Sequence, residues 1–469
     1  MSAGPGPDDE VDLVDLVVIG AGPGGESLAN QAAAAGLAVV VIDRHLVGGE
    51  CPYYGCIPSK MMVRAADTLA EAHRAGQLAG EVTVVPSWAP VATRVSDEAT
   101  DGWDDKVAVE RLQKAGATVH HGVGRLDGVR RVVVAQADGS PDRTYAARLG
   151  VVLNPGTRPA EPDIEGLAGT PYWTNREALR ATSLPGSLAV IGGGPIGCEL
   201  AQVFARFGVR VTILQHGDRL LPADEPEASA ALEQVLVGDG IRVMTGAETR
   251  RVEHGSGFTL TLADGQQVTA DQLLIAAGRA RNLDDVGLET VGLDPSNLPT
   301  DDRMRAADGL WVIGDVTGHG AFTHVSMYQS EVALRSILAA AGKGQEGAAA
   351  LYRAVPHTTF TDPEVAGVGL TEAAARQAGL AVRVGQADLG ASSRGFTHGP
   401  GATGLVKVVE DADRGVLVGA SVVGPAAGEI CSMLTLAVHA EIPVATLRTM
   451  IYAYPTFHRT IESALADLA

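Results

Sequence analysis

The stretch that decides the fold is DLVVIGAGPGGESLANQAAAAGLAVVVID, residues 15–43. Val17 to Ile19 read as a short buried parallel strand, followed by Gly20-x-Gly22-x-x-Gly25, an Ala-rich helix and a second apolar strand that ends at Asp43. In a strand–turn–helix–strand unit of this kind the first glycine permits the tight turn and the second lets the backbone approach a pyrophosphate. The third lets helix and strand pack closely. The helix N-terminus offers free N–H groups and a positive dipole end to phosphate. Asp43 is placed to accept hydrogen bonds from a ribose diol. The same order recurs in LAVIGGGPIGCELAQVFARFGVRVTILQ, residues 188–215, with Gly192, Gly194 and Gly197 in the turn and Gln215 at the position matching Asp43. One such fingerprint could be an ordinary glycine-rich turn. Two, in the same context and with the same spacing, predict two dinucleotide sites.

The two copies differ at the residue that meets the ribose. Asp43 suits a free 2′-hydroxyl, as on the adenosine of FAD. Gln215 carries no charge to repel a 2′-phosphate, and His216 and Arg219 follow it. The second site is therefore expected to take NAD(P)H, leaning to NADPH, with a Gln215 hydrogen bond to the NADH ribose as the alternative.

Between the two units lies GGECPYYGCIPSK, residues 48–60. Cys51 and Cys56 are five positions apart. In a regular helix that is a rise of about 7.5 Å, whereas disulfide Cα atoms lie roughly 4.4–6.8 Å apart. Pro52, Gly55 and Pro58 predict a bent segment with a helix starting near Pro58. A cysteine at a helix start has its thiolate stabilised by the dipole, and Lys60 adds positive charge. Redox chemistry, a structural disulfide and a metal site are the three readings. No second cysteine pair or histidine cluster completes a zinc site, so no metal is expected. Cys198 and Cys431, in apolar helix-like surroundings, read as buried and inert.

Length and charge bound the rest. The chain has 469 residues, 46% hydrophobic and 20% charged, with a formal net charge of −20. That length suggests about three domains, and the charge argues against nucleic-acid and anionic-membrane partners. Residues 1–10, MSAGPGPDDE, lack the basic start and apolar run of a secretory signal. One apolar stretch stops at Asp43 and the other contains Glu199 and several glycines, so neither spans a membrane. A soluble, cytoplasmic protein is expected.

The motifs together resemble the class I pyridine nucleotide–disulfide oxidoreductases, the family of lipoamide dehydrogenase, glutathione reductase and mercuric reductase. GGECPYYGCIPSK, with Gly49, is similar to the family's redox motif. LNPGTRPAEPDIEG (153–166, with Gly156) and LLIAAGRARN (273–282, with Gly278 and Arg279) resemble its two connections into and out of the NAD(P) domain. GLWVIGDVTG (309–318, with Gly314 and Asp315) resembles its second FAD motif. DPEVAGVGLTE (362–372) and VVGPAAGEI (422–430) resemble its interface domain.

The resemblance implies an α/β fold of two interleaved, doubly wound Rossmann-like domains plus a C-terminal α/β interface domain. The expected boundaries are 1–158 and 281–349 for FAD, 159–280 for NAD(P) and 350–469 for dimerisation, with 339–349 as a linker. It implies a homodimer that passes electrons from NAD(P)H through FAD to Cys51–Cys56 and on to a small-molecule or disulfide acceptor. Cys56 would be the flavin-facing, charge-transfer thiolate and Cys51 the interchange thiol. Lys60 and Glu199 would pair beside the flavin, and Asp315 would hold the ribityl chain.

Three departures bear on the acceptor. The family's C-terminal His-Pro-x-x-x-Glu motif reads here Tyr454-Pro455-Thr456-Phe457-His458-Arg459. A tyrosine, with a reference pKa of about 10, is a poor base near neutrality. Lipoamide and glutathione disulfide are therefore not the expected acceptors. His458, about one helical turn on, is the candidate substitute base, with a packing role as the alternative. A tyrosine here is similar to mercuric reductase, but no cysteine follows Cys431 to deliver mercury. Tyr53 and Tyr54 stand where the family has small aliphatic residues and Asn; they either line the substrate approach or fill space. Two other functions stay open: reduction of quinones, metal ions or small oxidants, and a redox-sensing flavoprotein with little turnover.

Overall fold

The computed structural model describes residues 11–468, so the segment 1–10, read as lacking a secretory signal, lies outside the described residues. The chain divides into two compact units. One comprises the chain up to Pro58 with Ser96–Arg158 and Arg279–Tyr352; the other comprises Ser59–Val95, Pro159–Gly278 and from Arg353 on. The segment 59–95 thus groups with the second unit, although the sequence places it within 1–158.

In the first unit the strand Val11–Ile19 is the middle of a parallel sheet. It begins six residues before the expected Val17. It pairs on one side with Val39–Asp43 (Ile19 beside Ile42) and on the other with Arg143–Leu153 (Ile19 beside Leu153). Thr118–Leu126 and Leu310–Val312 extend the sheet outward in parallel, and Arg131–Gln136 adds an antiparallel strand. Alternate residues of these strands feed two cores. Leu16, Val18, Val39 and Val41 pack under the helices Pro23–Ala34 and Thr323–Ala340. Val17, Ile19, Val40 and Ile42 face the other layer with Leu126 and Val312. Burial on both faces explains why the strands read as unbroken apolar runs. The chain leaves Val11–Ile19 to one side and returns on the other, which opens a crevice at the strand's carboxyl end, where ligands of such sheets bind.

The second unit contains the repeat of this motif. Four parallel strands run in the order Gln272–Ile275, Ser187–Ile191, Arg210–Leu214, Arg242–Met244. A three-stranded antiparallel sheet, Thr249–His254, Phe258–Leu262 and Gln267–Ala270, accompanies it. The C-terminal part forms a five-stranded antiparallel sheet in the order Pro356–Thr359, Glu364–Gly369, Val416–Gly424, Leu405–Asp411, Val382–Asp388. The helix Ala427–His439 buries Ile430, Cys431, Leu434 and Val438 in the core of this part. Among the described residues no helix is long and apolar enough to cross a membrane.

Candidate active site

The first glycine turn is built by exclusion. Gly20 has φ +93°, and a Cβ there would lie 2.1 Å from the Asn154 carbonyl oxygen. A Cβ on Gly25 would lie 2.1 Å from the Gly20 carbonyl oxygen, so only glycine lets the helix start this close to the strand. Gly22 has only the Asn154 amide within reach, at 3.3 Å, and caps the helix Pro23–Ala34 without a side chain. That open, uncapped end fits a pyrophosphate. Asp43 Oδ2 accepts from Ala21 N at 2.7 Å and Oδ1 from His45 N at 2.8 Å. The carboxylate therefore holds the turn as well as keeping lone pairs for a ribose, and burial pushes its pKa up.

The second turn repeats this atom for atom. A Cβ on Gly192 would meet the Ala276 carbonyl oxygen at 2.3 Å and one on Gly197 the Gly192 carbonyl oxygen at 2.0 Å, while Gly194 has nothing within 4 Å. Gln215 Oε1 accepts from Gly193 N at 2.8 Å, as Asp43 does from Ala21 N. With its oxygen used in this way, the Gln215 amide contributes its NH2 group as a donor. His216 is exposed. Arg219 donates instead to the carbonyls of Asp224 (2.7 Å) and Pro222 (2.8 Å), so its guanidinium is largely committed to its own loop.

The redox motif folds as a one-turn helix Glu50–Tyr54, a break at Gly55, and the helix Cys56–Arg74, of which residues 56–58 belong to the first unit. The long helix starts at Cys56 itself, not near Pro58. Proline is tolerated in a first turn, where N–H groups lack partners anyway. Gly49, with φ +72°, packs on the first glycine turn; a Cβ there would lie 2.8 Å from Gly22 Cα. Cys51 and Cys56 are half-buried thiols, and Cys56 Sγ lies 3.3 Å from Thr323 Oγ1. The hydrogen bond to Cys56, together with burial, pushes the Cys51 thiol up. Tyr53 is buried, with its hydroxyl on the Val47 carbonyl at 3.2 Å and its own carbonyl accepting from Trp103 Nε1 at 3.1 Å. It fills space, whereas Tyr54 is half-exposed.

The second FAD-like motif completes this unit. Gly314 has φ +81° and donates to Gln329 Oε1 at 2.7 Å. Asp315 accepts from Thr157 Oγ1 at 2.9 Å, and burial pushes its carboxyl up. Arg279 donates to Thr157 Oγ1 at 2.6 Å and reaches Glu50 at 3.3 Å. Gly156 and Gly278 adopt φ of +66° and +112° beside open space. Glu50, Thr157 and Thr323 were not singled out in the sequence. Glu50 and Thr157 do sit inside quoted motifs as polar residues among glycines, which is the signal that could have found them.

In the second unit Lys60 Nζ lies 2.6 Å from Glu199 Oε2, and Glu199 Oε1 accepts from Phe360 N at 2.8 Å. Glu199 is buried in the helix Pro195–Arg206, which the second glycine turn launches. Cys198 and Cys431 are buried; burial pushes the first up and the second up to about 11. Tyr454 is 67% exposed, with the Arg459 guanidinium 5.4 Å over its ring, and Arg459 pairs with Glu462 at 3.1 Å. His458 Nδ1 meets Thr456 Oγ1 at 2.9 Å, and its ring packs near Tyr452. No cluster of three or more His, Cys, Asp or Glu able to hold a metal occurs among the described residues.

Two phosphate-cradling turns, a dithiol at a helix start and a lysine paired with a buried glutamate define a flavin- and nicotinamide-dependent disulfide oxidoreductase. The chain belongs to the pyridine nucleotide-disulphide oxidoreductase family, whose pattern matches residues 14–334 and whose dimerisation domain matches residues 355–465. It is 34% identical to a dihydrolipoyl dehydrogenase of Thermus scotoductus, over 97% of each chain. It is 32% identical to a mercuric reductase of Streptomyces lividans, over 96% of this chain and 95% of that one. Among solved structures it is similar to LpdA of Mycobacterium tuberculosis, with a TM-score of 0.83 and 28% identity over 97% of this chain and 99% of that one. Members of the family are enzymes that use FAD and NAD(P)H.

Proposed function

We propose that this enzyme carries two electrons from NAD(P)H through FAD to the Cys51–Cys56 pair and on to an acceptor other than lipoamide or glutathione disulfide. FAD, when bound, supplies the two-electron relay between nicotinamide and sulfur. The chain's own residues do the rest. Gly20, Gly22, Gly25, Gly49, Asp43, Gly156, Gly314 and Asp315 hold FAD, with Arg279 bracing Thr157 against Asp315. Gly192, Gly194, Gly197, Gln215, His216 and Gly278 serve the nicotinamide cofactor. Lys60, fixed by Glu199, presents its charge on the helix that begins with Cys56. Cys51 keeps the proton and exchanges with the acceptor.

The observation that carries the choice of acceptor is at the C-terminus. Reducing lipoamide or glutathione disulfide calls for an acid/base next to the leaving thiol. By resemblance Tyr454 takes the motif position of that base, with the Arg459 guanidinium 5.4 Å over its ring, and His458 is engaged by Thr456. The whole-chain likeness to dihydrolipoyl dehydrogenases reflects the shared flavin and nicotinamide machinery. The same tyrosine favours a second reading, reduction of a metal ion, quinone or small oxidant, supported by the kinship with a mercuric reductase. On the nicotinamide side we propose that NADPH is accepted along with NADH, because Gln215 offers a donor rather than a charge. The dimerisation domain supports a homodimer, and the cytoplasm is the proposed compartment.

An anaerobic NADPH titration tests the core of this. Uptake of two electron pairs, with a long-wavelength band at the halfway point, is expected. Uptake of one pair would remove the thiols from the circuit. Cys51→Ser then separates the two readings: it abolishes disulfide reduction and spares a reductase working from the flavin.

A further inference from the structure

We infer that Thr323 is a thiolate-stabilising residue of the redox pair: its hydroxyl donates a hydrogen bond to the Cys56 sulfur in the reduced dithiol. Cys56 Sγ and Thr323 Oγ1 lie 3.3 Å apart although the residues are 267 positions apart in the chain. Cys56 is the first residue of a 19-residue helix and Thr323 the first residue of an 18-residue helix. Phe322, which caps the second helix, provides no side-chain acceptor. Two positive helix ends therefore converge on one sulfur, and each favours its anionic form. A threonine hydroxyl adds a directed donor that alanine or valine would lack. Its β-branched side chain has few rotamers, which keeps the hydroxyl on target.

The chemistry balances simply. Reduction of the Cys51–Cys56 disulfide by the two electrons that reach it from NAD(P)H breaks the S–S bond. One proton goes to the Cys51 sulfur and none to Cys56, whose charge the Thr323 hydroxyl and the helix ends hold. A stabilised Cys56 thiolate leaves Cys51 as the thiol that meets the acceptor, so Thr323 sets the division of labour within the pair.

This rests on the reading that Cys51 and Cys56 cycle between disulfide and dithiol. Counting titratable thiols in oxidised and reduced wild-type holoenzyme tests that by itself, since two thiols must appear on reduction. The inference is tested by alkylating the reduced, FAD-loaded protein with iodoacetamide from pH 4 to 9 and mapping modified Cys51 and Cys56 by peptide mass spectrometry. In Thr323→Val the apparent pKa of Cys56 should rise by about one unit, slowing its alkylation about tenfold below that pKa. Thr323→Ala should do the same, and Thr323→Ser should restore the wild-type profile. A Cys56 profile in the valine and alanine variants that superimposes on wild type, or moves down, overturns the inference. So does a serine variant as impaired as the valine one, because that would trace the effect to the methyl group's packing. Two thiols that appear on reduction with an unchanged Thr323→Val profile overturn the role of Thr323 and leave the redox pair standing.

Discussion

At the scale of single residues, burial decides how charges behave. Glu199 is nearly inaccessible and is satisfied by Lys60 and the Phe360 N–H. Lys60→Met removes the cation and leaves a carboxylate with one donor in the interior, which costs roughly 1–3 kcal/mol. Urea denaturation should show a lower midpoint with an unchanged slope, and Glu199→Gln in the same background should recover part of the loss. Asp67 offers a pH test. Burial, reinforced by Asp362 and opposed by Arg206 at 2.8 Å, pushes its carboxyl up to about 6. The folded protein then holds a proton that the unfolded chain releases near 4, so Asp67 stabilises the fold below that value and its contribution is lost as pH rises to about 6. With its partial exposure discounted, the stability difference between wild type and Asp67→Asn should shrink by on the order of 1–2 kcal/mol from pH 4 to 7. A flat difference across that range would show that Arg206 outweighs burial.

At the scale of elements, the two glycine turns make separable predictions. Gly25→Ala and Gly197→Ala each push a methyl group into a backbone carbonyl, at 2.1 Å and 2.0 Å. Each must move a helix away from its strand. Gly25→Ala should therefore purify with little bound flavin, read as the visible absorbance per chain. Gly197→Ala should keep its flavin and lose NAD(P)H binding. Gly194→Ala differs in kind, because no protein atom lies within 4 Å of the added methyl group and φ is ordinary there. Its melting temperature should stay at the wild-type value while the KM for NAD(P)H rises at least about tenfold, as expected if the lost space belongs to phosphate. An unchanged KM would put the cofactor elsewhere. The helix Cys56–Arg74 was expected to begin near Pro58 because two prolines and a glycine were read as breakers. Only the break at Gly55 acts as one, since a proline in the first turn of a helix has no hydrogen bond to lose.

At the scale of the whole molecule, the C-terminal part carries the family's dimerisation pattern and displays Ile451 at 96% and Tyr454 at 67% exposure. Apolar side chains so exposed suit a surface covered by a second copy. Ile451→Glu is expected to halve the mass seen by light scattering and to abolish acceptor reduction, while NADPH still bleaches the flavin. A variant that remains at twice the chain mass would place the interface elsewhere.

Much of the fold was legible because its signals are local. A glycine turn between an apolar strand and a helix is dictated by sterics within some thirty residues, so both copies, both strand ends and the cysteine pair could be read from residues 15–60 and 188–215. The resemblance of short motifs supplied Lys60, Glu199 and Asp315 by position. What the sequence could not contain is which partner each polar group takes. Arg219, noted in the sequence only as a cation following Gln215, serves its own loop. Arg279 braces Thr157 and Glu50, Tyr53 packs inward, and Thr323 meets Cys56 from 267 positions away. Such choices depend on how distant elements pack. In the interior a polar group must find a partner within hydrogen-bond reach, and the fold decides which group stands there. By itself the sequence determined the two nucleotide turns, the dithiol and the family. The tertiary structure alone decided the hydrogen bond to the Cys56 sulfur, because that contact exists only where the starts of two long helices, far apart in the chain, come together.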